Sequence, residues 1–154
     1  MIKITAKENG SRKVMMMDGT VDESFDPSAE ISDELKDFEV DCSGIRRINS
    51  IGVKKWIMYF SERRAQGAKI AFYSLSPALV EQANLISNFI PHADIVSVAL
   101  PFRCKSCGSD IVLVKDKLSC LGVDLEFSNW ACPSCTEVNL EFDDIASDYL
   151  TFWK

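Results

Sequence analysis

The sequence has few of the features that mark a secreted or membrane protein. None of its apolar runs approaches the ~18 residues of a membrane-spanning helix, and residues 1–5 lack the long apolar region of a signal peptide. We therefore expect a cytoplasmic protein that is not membrane-bound and whose thiols stay reduced. Internal repeats and low-complexity stretches are also missing, which leaves 154 residues for one modest core and a small satellite.

A basic surface is missing as well. The net charge is −6, with 12 Lys/Arg against 14 Asp/Glu in residues 1–100 and 5 against 9 in residues 101–154. Because the acidic excess of the second part would repel phosphates, we do not expect it to bind nucleic acid. We interpret its carboxylates as an ordinary solvated face, formed by Asp110, Asp116, Asp124, Glu126, Glu137, Glu141, Asp143, Asp144 and Asp148.

Histidine is nearly absent, and no catalytic constellation can be recognised. The single histidine, His92, follows Pro91 in a predicted turn and has no carboxylate or cysteine at ligand spacing. The sequence does not assemble a nucleophile, a base and an oxyanion site. We therefore expect His92 to lie at the surface and the protein not to be an enzyme.

Cysteine, in contrast, is well represented, and four of the six cysteines form two pairs. Cys104 and Cys107 enclose two residues, as do Cys132 and Cys135, and 24 residues separate the pairs. Two cysteines at this spacing share one tight turn and can direct both sulfurs at one ion, and four thiolates suit zinc. Gly108 allows the left-handed backbone that such a turn needs. We predict a structural zinc site in a zinc-ribbon-like unit, with a redox or disulfide pair as the alternative.

The remaining cysteines, Cys42 and Cys120, have no partner two residues away. We expect both to be small buried hydrophobic side chains, with Cys120 as a replacement ligand for the metal as the alternative. Four cysteine ligands would close the coordination sphere and leave no position for water, so metal catalysis is not expected. The apolar stretches between and after the pairs predict short strands at residues 111–114, 118–121, 123–127 and 138–142.

Strands and helices alternate over the first 100 residues, which predicts an α/β domain followed by a small β domain at residues 101–154. An Asn-Gly turn predicts a hairpin of the first two strands. The predicted strands are residues 2–6, 14–17, 38–42, 69–75 and 95–100. Helices are predicted at residues 51–66 and 77–90, and the buried stripe of the first helix comprises Val53, Trp56, Ile57, Phe60 and Arg64.

Two further segments lack a regular pattern. Residues 18–37 carry only four apolar anchors, so they predict a loop with a short helix; the anchors are Val21, Phe25, Ile31 and Leu35. The C-terminal tail, in contrast, is rich in apolar side chains, namely Ile145, Tyr149, Leu150, Phe152 and Trp153. We expect this tail to pack back on its own chain, with a docking site for a partner as the alternative.

Two short motifs flank the first predicted helix. Asp-Cys-Ser-Gly at residues 41–44 follows a strand, and Asn-Ser-Ile-Gly at residues 49–52 begins the helix. Together with the order of the elements, these motifs make residues 1–100 resemble the STAS domain of bacterial anti-sigma-factor antagonists and sulfate-transporter tails. The resemblance implies a mixed sheet of four to five strands with helices on one face. It also implies a signalling function through binding of another protein, such as an anti-sigma factor or a kinase-like partner.

In the phosphorylated members of that family, the residue before the glycine of the second motif carries the phosphate. Here this residue is Ile51, which has no hydroxyl, so the usual phosphoswitch is not expected. Ser50 lies one residue earlier, where a phosphate would be stabilised by the helix N-terminus. The alternative is that Asn49 or Ser50 caps the helix with its side chain.

Four cations surround this helix start: Arg46, Arg47, Lys54 and Lys55. With Ser50 they are candidates for holding an anionic peptide or a nucleotide, and the alternative is a solvated face. We expect a non-enzymatic protein-interaction module stabilised by zinc. A small-ligand or nucleotide-sensing module and a thiol redox or metal-dependent accessory protein are the alternatives.

Overall fold

The computed structural model of the chain describes residues 1–29 and 37–154. The strands within these residues are β1 (Ile2–Asn9), β2 (Arg12–Val21), β3 (Asp37–Ile48), β4 (Ile70–Tyr73), β5 (Ser97–Cys104), β6 (Asp110–Asp116) and β7 (Leu140–Phe142). The helices are α1 (Ser50–Ala65), α2 (Pro77–Leu85), α3 (Lys117–Cys120) and α4 (Ala146–Tyr149). None of these helices is long and apolar enough to cross a membrane.

The first sheet is mixed and has the order β1-β2-β3-β4. The predicted hairpin is confirmed, since β1 and β2 pair antiparallel from Ile2 and Gly19 to Asn9 and Arg12. Its two-residue loop begins with Gly10, which has a φ of 64°. Glycine adopts this left-handed conformation at little cost. The next two pairs, β2 with β3 and β3 with β4, are parallel. The predicted α/β class is therefore confirmed.

One face of this sheet is buried under α1. Met15, Val40 and Phe72 are neighbours across β2, β3 and β4, and each is fully buried. On α1, Trp56 and Phe60 are also fully buried, and their ring centres lie 5.8 Å and 5.1 Å from the ring centre of Phe72. The core role predicted for Trp56 is confirmed, and aromatic burial of this kind supplies much of the stabilising free energy of a small domain.

Helix α1 begins at a side-chain cap. The carboxamide oxygen of Asn49 accepts a hydrogen bond from the N–H of Gly52 at 2.7 Å, so Asn49 is the N-cap. The predicted stripe is confirmed in its centre and half-buried at its margins, where Val53, Ile57 and Arg64 lie. The prediction missed Tyr59, which is 9% exposed.

The glycines of the two sequence motifs have a steric role. A Cβ atom on Gly52 would lie 2.1 Å from the carbonyl oxygen of Val21, and one on Gly44 would lie 2.5 Å from that of Met17. Both distances are far below van der Waals contact. Glycine at these positions therefore lets β3 and α1 approach the backbone of β2.

Two element boundaries differ from the prediction. β3 was predicted to end at residue 42 but continues to Ile48, so most of the segment before the predicted helix is strand. α2 ends at Leu85 instead of residue 90, since Ile86 is already extended. Ser87 and Asn88 follow, and both residue types favour turns over helix interiors.

The strand predicted at residues 95–100 does not close the first sheet. Two isolated parallel bridges, Phe72 with Ile95 and Leu75 with Val98, and three backbone hydrogen bonds connect it to β4 and the residues that follow β4. β5 instead forms the centre of a second, antiparallel sheet with the order β6-β5-β7. The strand and its apolar pattern continue past residue 100, and the carbonyl of Pro101 accepts the N–H of Asp143 at 2.9 Å. The domain boundary predicted after residue 100 thus lies inside β5.

The segment between the cysteine pairs contains one strand, β6, instead of three. Residues 118–121 were predicted as a strand, but the Asp116 side chain caps α3 by accepting the N–H of Ser119 at 2.7 Å. Asp124 similarly accepts the N–H of Glu126 at 3.0 Å and begins a 3-10 turn, Leu125–Phe127. Aspartates that bind nearby backbone amides favour such turns over strands. After the second pair, the predicted strand is confirmed at β7.

The C-terminal tail packs on its own chain, as predicted. Tyr149, Leu150 and Phe152 are buried, and the Tyr149 hydroxyl donates to the carbonyl of Ala99 at 2.6 Å. Ile145 is the exception, with 63% of its surface exposed.

The irregular segment at residues 18–37 is described only in part. Its first residues extend β2 to Val21, and Phe25 is buried as expected. A 3-10 turn, Pro27–Ala29, follows. The predicted anchors Ile31 and Leu35 lie outside the described residues.

Candidate functional site

The structure brings together the four cysteines predicted as metal ligands. The sulfur of Cys104 lies 3.6 Å from that of Cys135, and the sulfur of Cys107 lies 3.8 Å from that of Cys132. All four sulfurs lie within 4.8 Å of one another. We refer to these four residues as the cysteine cluster.

The dimensions of the cysteine cluster fit one tetrahedral metal ion. Sulfurs about 2.3 Å from a central zinc ion form a tetrahedron with edges of about 3.8 Å. Two measured edges, 3.6 Å and 3.8 Å, match this value. A four-iron cluster, in contrast, holds its cysteines farther apart. The cluster can therefore hold a single thiophilic ion, and zinc is consistent with it.

Both cysteine pairs are built on the same backbone turn. The N–H of Gly108 donates to the carbonyl of Cys104, and the N–H of Thr136 donates to the carbonyl of Cys132, each at 2.8 Å. Gly108 and Thr136 both have left-handed backbone, with φ of 72° and 67°. The prediction for Gly108 is confirmed. The prediction missed Thr136, where a β-branched residue adopts a strained conformation that costs about 1 kcal/mol or more.

The two turns are also bound to each other. Cys104 ends β5, and the next backbone N–H, that of Lys105, donates to the carbonyl of Asn139 at 3.0 Å. The side chain of Asn139 in turn donates to the Ser106 hydroxyl at 3.0 Å. Cys104 is buried, whereas Cys107 is exposed, so one side of the cluster faces solvent.

The sulfurs strongly influence each other's protonation. The Ser109 hydroxyl, 3.3 Å from the Cys107 sulfur, and the Ser109 N–H lower the pKa of Cys107 to about 6. At Cys135 the N–H of Glu137 acts in the same direction, but desolvation and the three neighbouring sulfurs raise the pKa to about 12. Four crowded thiolates repel each other, and a bound cation would remove this repulsion.

The two isolated cysteines lie apart from the cluster, as predicted. Cys42 is fully buried, and burial raises its pKa well above the ordinary value. Cys120 is 7% exposed, and burial followed by the nearby Asp116 raises its pKa to about 11. Both therefore remain protonated thiols in apolar surroundings.

At the start of α1, Ser50 is the first helical residue and is exposed. Because Asn49 supplies the cap, the alternative that Ser50 caps the helix is wrong. Within the described residues the Ser50 hydroxyl makes no hydrogen bond, so it is available to solvent and to other molecules.

The four predicted cations do not form one cluster. Arg46 pairs with Asp18 at 2.7 Å, and the ammonium of Lys55 donates to the carbonyl of Glu23. Arg47 and Lys54 are exposed and have no ion pair among the described residues. Two of the four side chains are thus occupied within the chain and two are free.

The solvent-facing side of α1 exposes two large apolar side chains. Ile51 is 52% exposed and Met58 is 53% exposed, and both lie on one helical face with Lys54 because they are spaced at i, i+3 and i+7. The sequence analysis missed Met58, although this spacing on the face opposite the buried stripe was readable. We refer to Ser50, Ile51, Lys54 and Met58 as the α1 surface.

Two further predictions concern the surface. His92 is exposed, and its ring centre lies 5.8 Å from that of Phe152. The nine carboxylates from Asp110 to Asp148 are all exposed, as expected of a solvated face.

No protein-family model matches the chain, and no curated protein matches it in sequence. The STAS resemblance therefore remains a prediction from the two motifs and the order of the elements. The cysteine cluster and the α1 surface are the candidate sites that the structure offers within the described residues.

Proposed function

We propose that the protein is a non-enzymatic protein-interaction module that docks a partner on the α1 surface and holds one structural zinc ion in the cysteine cluster. The observation that carries the proposal is the exposure of Ile51 and Met58, at 52% and 53%, beside Lys54 on a helix whose opposite face is the core. An apolar centre with a charged margin is the usual composition of a protein interface.

Two free cations, Lys54 on the α1 surface and Arg47 at the end of β3, favour an acidic partner. Arg47 and Lys54 are free to pair with carboxylates, whereas the protein as a whole carries a net charge of −6. A local positive patch on an acidic protein steers oppositely charged partners to that patch. By the STAS resemblance, such a partner is an anti-sigma factor or a kinase-like signalling protein. With Ile51 at the position of the family's phosphate, binding does not depend on a phosphate there.

Zinc has a structural role in this proposal. Cys104, Cys107, Cys132 and Cys135 supply four ligands, which close a tetrahedral sphere and leave no site for water or substrate. Binding free energy on the order of 10 kcal/mol would become folding free energy for the turns that carry the ligands. The bound ion would thereby fix β5, β6 and β7 in a zinc-ribbon-like unit.

Affinity capture with matched variants tests the docking surface. Immobilised wild-type protein, Ile51→Glu, Lys54→Glu and the control Val112→Glu are incubated with extract of the native host. Val112 is 62% exposed on β6, so its substitution introduces the same charge at a comparable but distant position. We expect a partner to be retained by the wild type and the control, and its purified form to bind both α1 variants at least ~10-fold more weakly. Equal affinity for all four proteins would contradict the proposal.

Metal analysis under reducing conditions tests the cysteine cluster. We expect one zinc per chain in the wild type and in Cys120→Ser, and less than stoichiometric zinc in Cys132→Ser. Both cysteines are buried, at 7% and 1% exposure, so a general effect of losing a buried thiol would affect them alike. Iron in place of zinc would contradict the assignment of the metal, and equal metal loss in the two variants would contradict the proposed site.

A further inference from the structure

A groove of about 640 Å³ runs between α2 and the C-terminal tail, where the two sheets of the protein meet. One wall is the outer face of α2, and the other wall is formed by the start of α4 and the residues before it. We refer to it as the α2–α4 groove, and the residues that define it are Ala78, Glu81, Leu85, Asp144, Ile145 and Asp148.

The two walls each expose a large apolar side chain. Leu85 on α2 is 72% exposed, and Ile145 before α4 is 63% exposed. The remaining apolar residues of the tail are buried, as Tyr149, Leu150 and Phe152 are, or half-buried, as Trp153 is. The exposure of Ile145 therefore does not follow from a general lack of cover on the tail.

The charge of the α2–α4 groove is negative. Glu81, Asp144 and Asp148 are exposed, and none of them pairs with a cation among the described residues. Arg46 is the one cation that lines the groove there, and its guanidinium is already bound to Asp18 at 2.7 Å. Three carboxylates and two apolar side chains thus line the groove, and none of the three carboxylates has an ion-pair partner among the described residues.

Hydrogen bonds between α2 and the tail hold the two walls of the groove in place. The side chain of Asn84 on α2 donates to the carbonyls of Tyr149 and Asp148 at 2.9 Å and 3.2 Å, and accepts the N–H of Phe152 at 3.0 Å. The Tyr149 hydroxyl is bound to Ala99 of β5. Because the groove is already formed in the free protein, a ligand need not pay the entropy of ordering it.

From these features we propose that the α2–α4 groove binds a basic amphipathic segment of a partner protein. Apolar side chains of the segment contact Leu85 and Ile145, and its lysines or arginines pair with Glu81, Asp144 and Asp148. Nucleic acids and anionic lipids are excluded, since the same carboxylates repel phosphate groups. By the proposed function, Lys54 of the α1 surface and the nearby Arg47 pair with an acidic partner, so the two surfaces would bind segments of opposite charge.

A binding titration on the full-length, zinc-loaded protein tests the proposal. The probe is a fluorescein-labelled peptide of about twelve residues, built from leucine and lysine at helical period, and its counterpart has glutamate in place of lysine. We expect the lysine peptide to bind and the glutamate peptide not to bind. Glu81→Lys and Leu85→Ser should each weaken the affinity for the lysine peptide at least ~10-fold.

Matched controls separate the groove from the acidic surface as a whole. Glu62→Lys reverses an exposed charge on α1, and Leu118→Ser removes a side chain that is 79% exposed on α3. Both controls, and Ile51→Glu on the α1 surface, should bind the lysine peptide as the wild type does. Equal weakening by groove variants and controls, binding of the glutamate peptide, or no binding of either peptide would overturn the proposal. Self-association of the wild type that Leu85→Ser abolishes would also overturn it, because a second copy would then fill the groove.

Discussion

The two sheets of the protein are stabilised by different means. Beneath the first sheet, six aromatic rings form one contact network: Phe25, Trp56, Tyr59, Phe60, Phe72 and Phe89. The second sheet has a smaller network, formed by Phe102, Trp130, Phe142 and Tyr149. Within residues 105–139, which carry three of the four cluster cysteines, the buried side chains are only Ile111, Cys120, Leu125 and Cys132. We therefore propose that apolar burial suffices for the first region, whereas the turns of residues 105–139 need a bound ion to become ordered.

One strand, β5, connects these two regions. Val98 and Leu100 at the start of β5 lie in the core shared with the first sheet, and Cys104 at its end carries a sulfur of the cysteine cluster. Asn84 and Tyr149 add hydrogen bonds between α2, the tail and β5. The comparison thus predicts two regions that differ in their response to metal and to core mutations but remain coupled through β5.

Removal of the metal should have the largest effect. A chelator at neutral pH should abolish the protection of the Gly108 and Thr136 amides from hydrogen exchange, because their bonds to Cys104 and Cys132 close turns that the ion holds together. The binding free energy at stake is on the order of 10 kcal/mol. Two-dimensional NMR with deuterium exchange measures both amides in one experiment.

The first sheet provides the internal control for this experiment. Amides of β2 and β3, such as those of Met15 and Val40, should stay protected after metal removal, since their bonds depend on the aromatic core. If the amides of Gly108 and Thr136 remained equally protected without metal, the contrast between the two regions would be wrong.

Truncation of the core tryptophan should come next in size. Trp56→Ala leaves a large cavity among Phe25, Phe60 and Phe72 and should cost about 3–5 kcal/mol of unfolding free energy. Trp130→Ala in the metal-binding half removes a half-buried side chain and should cost clearly less. Urea denaturation of the two zinc-loaded variants gives both values. A larger loss of unfolding free energy for Trp130→Ala would contradict the proposal that apolar burial stabilises the first region more than the second.

Addition of one methyl group at Gly52 should have a smaller but specific effect. The Cβ atom would meet the Val21 carbonyl at 2.1 Å, so α1 must shift, and overpacking of this kind costs about 1–3 kcal/mol. Gly122→Ala in the metal-binding half meets no atom within 4 Å, and its cost comes only from a φ of 73°. Thermal unfolding should show the larger decrease in Tm for Gly52→Ala, and an equal decrease would argue against close contact between α1 and β2.

The sequence predicts what depends on neighbouring residues and misses what depends on distant ones. The cysteine pairs, the hairpin and the α1 stripe are all local patterns, and the structure contains each of them. The assignment of β5 to the second sheet depends on which strands pair with it, which its own residues do not encode. Asp116 and Asp124 misled the strand prediction because the capping of backbone amides by their side chains outweighs the apolar pattern.

The same distinction applies to the candidate sites. The cysteine cluster follows from spacing alone, but the separation of Arg46 and Lys55 from the free cations depends on Asp18 and Glu23, more than 20 residues away. The α2–α4 groove was not predicted at all, since it exists only where the tail returns to α2.

The smallest predicted effect tests the packing of the C-terminal tail on β5, the strand that connects the two regions. Tyr149→Phe removes the hydroxyl that donates to Ala99 on β5, and should cost about 1 kcal/mol at neutral pH. Burial, followed by the nearby Asp144, raises the pKa of Tyr149 above its ordinary value of about 10. A raised pKa in the folded state means that this stabilisation is fully present below pH 10 and is lost above it, where the tyrosine ionises first in the unfolded chain.

The phenylalanine variant lacks this loss, so its deficit relative to the wild type should shrink as the pH rises from 8 to about 11. Denaturant titrations of both proteins at several pH values measure the difference in unfolding free energy. Lysines also titrate in this range, but they are the same in both proteins, so their contribution cancels in the difference. Tyr73→Phe on β4 is a suitable control, since its hydroxyl makes no hydrogen bond among the described residues and its removal should cost less at neutral pH. A deficit of Tyr149→Phe that stayed constant with pH would mean that the tail is open to solvent at Tyr149, and the bond to Ala99 would then not hold the tail on β5.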